Sequence, residues 1–274
     1  MELKENIAKR TIFIPVIVFI ILMIWGLFFV FTKSDPNSYN AQFWSAIYQI
    51  IAWFGVFYGI YFSNLWGGWK SQIGRANLAF ASGLLAQSFG QFVFSYFTYK
   101  QVEVLYPSIA DIGFFGSIPL YICGIYFLYK ALRSRNFFSS WSIRILALLI
   151  PVCILGFSYN IFLKGYQFDW SHPLTIFFDF GYPLGQAIYV SMAIITFITS
   201  SRFLGGIMKK PVLFFIVALF AQFVADYVFL FLSNRNFYIG SNIIFSDLLY
   251  LLAYFMMTLS LIKLGSTFYK IKNS

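Results

Sequence analysis

The chain has 274 residues, of which 60% are hydrophobic and only 10% charged. A soluble domain dresses its surface with about 25% charged residues, so a water-soluble globular fold is excluded and lipid must cover much of the molecule. The formal net charge of +10 comes from Lys and Arg placed between long apolar runs rather than on one face. That excludes nucleic acid as a partner and leaves the charge as a determinant of membrane orientation.

A membrane-crossing helix needs about 20 mostly apolar residues. In chain order such runs fall near 11–32, 43–64, 76–98, 109–130, 143–163, 174–199, 211–233 and 244–264. The expected fold class is therefore all-α, a polytopic membrane bundle of eight transmembrane helices. The first run follows Lys4, Lys9 and Arg10. It is too long for a signal-peptide core and no small-residue cleavage site follows it, so it reads as an anchored span. Short links such as Trp66-Gly-Gly-Trp69-Lys70 separate the runs, and none is long enough for a soluble domain. Cys123 and Cys153 fall inside apolar runs and read as small hydrophobes.

With eight crossings the links alternate between two sides. Lys33, Lys100, Lys164 and Arg235 then lie on one side, and the other 15 of the 19 basic residues lie on the opposite side. The positive-inside rule makes the richer side cytoplasmic and puts both termini there, in a cell membrane. Trp66, Trp69 and Trp141 at the inner boundary, with Trp44 and Trp170 at the outer one, are expected interface anchors.

The sequence also repeats itself. Leu84-Leu-Ala-Gln87 through Gln91 in the third run resembles Leu219-Phe-Ala-Gln222 through Asp226 in the seventh. Ala110-Asp111 opens the fourth run as Ser246-Asp247 opens the eighth, and Gln49…Gly55 aligns with Asp179…Gly185. The expectation is two four-helix repeats, 1–135 and 136–274, entering the membrane the same way, unlike the inverted repeats of many transporters.

Polar side chains inside lipid carry the functional signal, because an Asp at mid-membrane costs about 2.5–3.5 kcal/mol on insertion scales. Asp179 and Asp226 lie in the outer thirds of the sixth and seventh runs. Gln222 and Asp226 share one helical face, which Gln87 and Gln91 repeat in the third run, and Gln49 matches Asp179. These six residues form the candidate ligand-binding set, a polar pocket open to the outside. Helix–helix hydrogen bonding explains the same residues, and the two readings are compatible. Ser108-Ile-Ala-Asp111 has the S-x-x-D form of a capping box. Capping alone explains Asp111, and Asp247 is read likewise; both are set aside as capping residues or a secondary site. Pro183, one turn past Asp179, offers a kink beside that pocket. His172, the only histidine, stands in a polar outer link and reads as a solvated side chain rather than a metal ligand. No metal or cofactor is expected. Neither G-x-S-x-G, H-E-x-x-H nor a P-loop is present, so no enzyme activity is expected.

Tyr106-Pro-Ser-Ile-Ala-Asp111-Ile-Gly-Phe resembles the P-S-x-A-D-x-x-[YF] segment of multi-span regions that precede GGDEF diguanylate cyclase domains. Asp179-Phe-Gly-Tyr-Pro-Leu-Gly185 resembles their D-x-x-Y-P-L-x-D segment, with Gln186 where an acid is common. The resemblance implies a membrane-embedded sensory module, here with no GGDEF domain after the last span. The expected function is thus a sensor-like or accessory module that binds a small or lipidic ligand and signals to a separate partner. The alternative is a small transporter or channel for a cation or small solute. Expected partners are membrane lipids, a cytoplasmic signalling protein or a second copy of the chain.

Overall fold

In lipid, backbone N–H and C=O groups find no water, so each apolar run must satisfy them internally as a helix. The structure, a computed structural model, describes residues 2–102, 104, 106–132, 141–200, 208–234 and 241–272. Its α-helices are α1 (Glu2–Phe31), α2 (Tyr39–Ile47), α3 (Ile50–Leu65), α4 (Gln72–Tyr99), α5 (Ile109–Leu132), α6 (Trp141–Ser158), α7 (Pro173–Ser200), α8 (Lys209–Asn234) and α9 (Ser241–Lys272). There is no strand among the described residues. Among the described residues, eight stretches are long and apolar enough to cross a membrane, α2 and α3 together forming the second. The chain is an all-α, multi-pass membrane bundle.

Local chemistry sets the ends. Ser38 and Ser71 cap α2 and α4 by accepting the backbone N–H groups of Ala41 and Gly74, satisfying donors that the first turn leaves free. Between α3 and α4 the chain reverses through Gly67 and Gly68, both at positive φ, a conformation glycine adopts without steric cost. A single π-helical turn, Tyr159–Leu163, continues α6.

Packing follows a simple plan. Helix α4 runs along α5, and α8 along α9; α3 rests on both α4 and α9, while α7 rests on both α5 and α8. Helix α1 lies against α9 and α6 against α7. Small residues permit the closest approach: a Cβ on Gly113 of α5 would stand 2.5 Å from the amide N of Gly90 on α4. Without a hydrophobic force between helices in lipid, such backbone contact is a main source of association. The ninth helix is the most enclosed, with 67% of its apolar window buried, against 6% for the stretch Arg144–Leu163. Phe80 of α4, fully buried, stacks on the equally buried Phe215 of α8, their ring centroids 4.3 Å apart.

Two expectations need correction. Trp44 is fully buried, and its indole N–H donates to the Leu22 carbonyl at 2.9 Å. It ties α2 to α1 and is not an interface anchor, because a buried indole needs an acceptor and α1 supplies one. Trp69, Trp141 and Trp170 are exposed, as anchors would be. The second correction concerns Asp247. Helix α9 begins at Ser241, and its first turn holds no acid, so Asp247 caps nothing. It is buried and turned toward α2.

Candidate functional site

Asp111 shows how the sequence places an acid at one end of the bundle. Its Oδ2 accepts the Ser108 amide at 2.7 Å, and the Ser108 hydroxyl accepts the Ala110 amide at 3.2 Å. This reciprocal pair is a capping box, and the helix N-terminus favours a negative side chain there. Capping uses one carboxylate oxygen; the other, Oδ1, accepts the Tyr182 hydroxyl of α7 at 2.8 Å. Asp111 is therefore both a cap and a bridge between helices.

The other carboxylates follow the same rule, each meeting tyrosine hydroxyls. Asp179 accepts Tyr106 at 3.0 Å and Tyr166 at 2.7 Å. Asp226 accepts Tyr250 at 2.9 Å, Gln222 Nε2 at 3.0 Å and Gln186 Nε2 at 2.7 Å. Asp247 accepts the Ser45 hydroxyl at 2.7 Å and Tyr48 at 3.3 Å. In the links, burial and then the neighbouring Asp179 push the Tyr166 phenol up to about 12, and the same two influences raise Tyr106. Both phenols hold their protons at neutral pH and remain donors.

All four acids line one cavity of about 850 Å³. Helices α4, α5, α7, α8 and α9 contribute walls, the π turn after α6 closes another side, and the links 104–108 and 164–166 form the mouth. Five Phe and four Tyr line it with the acids, and Lys164 is the only base among the described lining residues. The size falls within the range of small-molecule sites, about 300–1,000 Å³.

Of the six sequence-derived candidates, Gln91, Asp179 and Asp226 reach the cavity wall. Gln222 supports Asp226 from the next turn of α8. Gln49 and Gln87 are buried outside the cavity lining and act as bridges between helices. Gln49 accepts the Ser88 hydroxyl at 2.9 Å, and Gln87 donates to Ser117 at 2.7 Å while accepting Tyr254 at 3.4 Å. Asp111 and Asp247, set aside as secondary, line the cavity. Sequence reasoning missed Tyr106, Tyr166, Tyr182, Gln186, Tyr250 and Lys164. A signal existed for two of them: Asp179, Tyr182, Pro183 and Gln186 step by three and four residues along α7, one face of a helix.

His172 is exposed, with Nδ1 2.9 Å from Asp169 Oδ2. Among the described residues no group of three or more His, Cys, Asp or Glu side chains comes together in a way that would hold a metal ion. No family model, curated protein or solved structure matches the chain.

Gln186 is the residue that sets the chemistry. It is fully buried, and its Oε1 has no hydrogen-bond partner among the described residues. Its Nε2 donates to Asp226 Oδ2 at 2.7 Å, which leaves Oε1 as the free acceptor of the amide. A buried acceptor left unpaired costs about 1–3 kcal/mol, so this position asks for a donor.

Proposed function

We propose that the protein is a membrane-embedded, sensor-like module that binds a small ligand in this cavity and passes occupancy to a partner at the opposite, basic face. The observation that carries the reading is the convergence of Asp111, Asp179, Asp226 and Asp247 on one cavity of about 850 Å³. Polar groups in membrane helices are costly and mark functional sites. The four acids come from four different helices, so a ligand touching them couples α5, α7, α8 and α9. It shifts the bundle to the extent that it prefers one packing over another.

The charge bias supports an orientation. Links 104–108 and 164–166 belong to the side that carries Lys33, Lys100, Lys164 and Arg235, the poorer in basic residues. By the positive-inside rule the mouth then faces outward and both termini are cytoplasmic.

Two like halves, 1–135 and 136–274, suit the packing. Helix α3 spans from α4 to α9 as α7 spans from α8 to α5, and Tyr48 meets Asp247 as Tyr182 meets Asp111. In this reading Tyr48 matches Tyr182, which moves the second and sixth spans by one helical turn from the pairing of Gln49 with Asp179. Binding would be read out as a change in how the halves seat against each other.

A transporter for a cation or small solute is the competing reading, since the acids suit such cargo. The stacked Phe80 and Phe215, both fully buried, favour the module, because they close the space between α4 and α8 with apolar rings. Liposomes containing the purified protein test the choice. The module gives no ion or solute flux above empty vesicles, whereas flux that disappears in Asp179→Asn and Asp226→Asn overturns it.

A further inference from the structure

We infer that the ligand of this cavity is an organic ammonium ion with at least one N–H group, attached to an apolar body. The inference rests on the ligand-binding reading above and deepens it.

Three independent observations converge. The first is charge: four carboxylates face the cavity, and the only base among its described lining residues is Lys164 at the mouth. An anionic ligand would meet acids on every side.

The second is the unpaired oxygen of Gln186. Its Nε2 is committed to Asp226 Oδ2 at 2.7 Å, and its Oε1 is buried without a donor among the described residues. Gln186 and Asp226 both line the cavity, so a donor that reaches this amide oxygen also meets the carboxylate beside it. A protonated primary or secondary amine presents charge and N–H donors together, so it satisfies both. A quaternary ammonium brings the charge without a donor, and an alcohol brings one donor without the charge.

The third is the rest of the lining. Nine aromatic rings, five Phe and four Tyr, surround the acids. Aromatic faces attract cations and bury apolar bodies. The acids are also dispersed: among the described residues no three gather around one point as a metal ion would require. Spread acceptors within an aromatic wall suit a bulky organic cation better than a compact inorganic one.

The test uses the full chain in nanodiscs and four probes that share a phenyl group and differ in the polar head: 2-phenylethylammonium, its N,N,N-trimethyl derivative, 2-phenylethanol and 3-phenylpropionate. Calorimetric titration at neutral pH should rank the primary ammonium first, at least about tenfold tighter than each of the others, a margin of about 1.4 kcal/mol. Gln186→Leu should erase most of the margin over the trimethyl derivative. If that variant does not fold, the ranking by the native protein still decides. Equal or tighter binding of the alcohol, the trimethyl ion or the carboxylate overturns the ammonium assignment while leaving a ligand cavity standing. Absence of ammonium binding up to millimolar concentration overturns it as well. Acid-dependent flux in liposomes overturns the module reading whichever probe binds.

Discussion

Phe80 and Phe215 stack at a centroid distance of 4.3 Å, and each lies seven residues before the glutamine of its own helix, Gln87 or Gln222. Positions that correspond in two halves of a chain touch each other only where the halves meet. On the repeat reading, the stack marks that meeting line, and the glutamines and the cavity lie farther along the same two helices.

Phe80→Ala should therefore lower stability by about 3 kcal/mol, the lower end for a buried Phe truncation. Phe215→Ala should cost as much. The double variant should cost less than the sum by about 1 kcal/mol, the value of an aromatic pair. Reversible unfolding in bicelles measures all three. Fully additive losses would show that the rings do not act as a pair.

Gly113 gives a prediction with its own control. A methyl group there meets the backbone of α4, which cannot rotate away as a side chain could. Gly113→Ala should destabilise by about 1–3 kcal/mol. Gly116, one turn along the same helix, leaves an added Cβ with nothing within 4 Å, so Gly116→Ala should not lower the thermal midpoint in detergent and should raise it slightly, because alanine favours the helix.

The two roles of Asp111 can be separated. Ser108→Ala removes the hydroxyl that accepts the Ala110 amide and should cost about 1 kcal/mol. Tyr182→Phe removes the bridge to α7, a membrane hydrogen bond worth about 0.6 kcal/mol on average. Unfolding experiments read the first, while the second, on the ligand-binding reading, should also change ligand affinity, because Tyr182 lines the cavity.

Asp169, in the link before α7, supplies a pH prediction. Hydrogen bonds from the Ser171 hydroxyl, His172 and the Ser171 amide hold its carboxyl well below the usual range, at about 2. A carboxyl depressed in the folded state contributes stability above its unfolded value of about 3.9, and that contribution is lost as pH falls toward 2. Tyr106, Tyr166 and His172 share its small surface cleft. The link should keep its conformation down to about pH 4 and loosen below it. Ser171→Ala should raise the carboxyl titration toward the ordinary value, as followed by carbon NMR of labelled aspartate.

Much of the fold was legible because lipid removes alternatives. Long apolar runs have to be helices, and all eight stand where hydropathy put them. What the sequence hid was rotation about each helix axis. Nothing in the apolar run around Trp44 says that its indole faces α1 instead of the membrane boundary. Asp247 looked like a cap because the polar start of α9 resembles a link, whereas the helix begins at Ser241. Asp179 and Asp226 were found as isolated costs, but their tyrosine partners come from other helices or from links, and only tertiary packing brings them near. Gln186 was visible as a departure from an acidic pattern, and its bond to Asp226 gives that departure a physical sense: two acids facing each other would repel, whereas an amide beside an acid donates to it.

The π turn at Tyr159–Leu163 lends the cavity Ile161, Phe162 and Leu163, yet the helix leading into it has little protein around it. In a bilayer with no partner on that face, acyl chains would back this wall of the site. Bilayer thickness and tension press on that wall directly, so affinity should vary between short-chain and long-chain lipid even when no residue changes. On the ligand-binding reading, a binding constant belongs to the protein and the bilayer together.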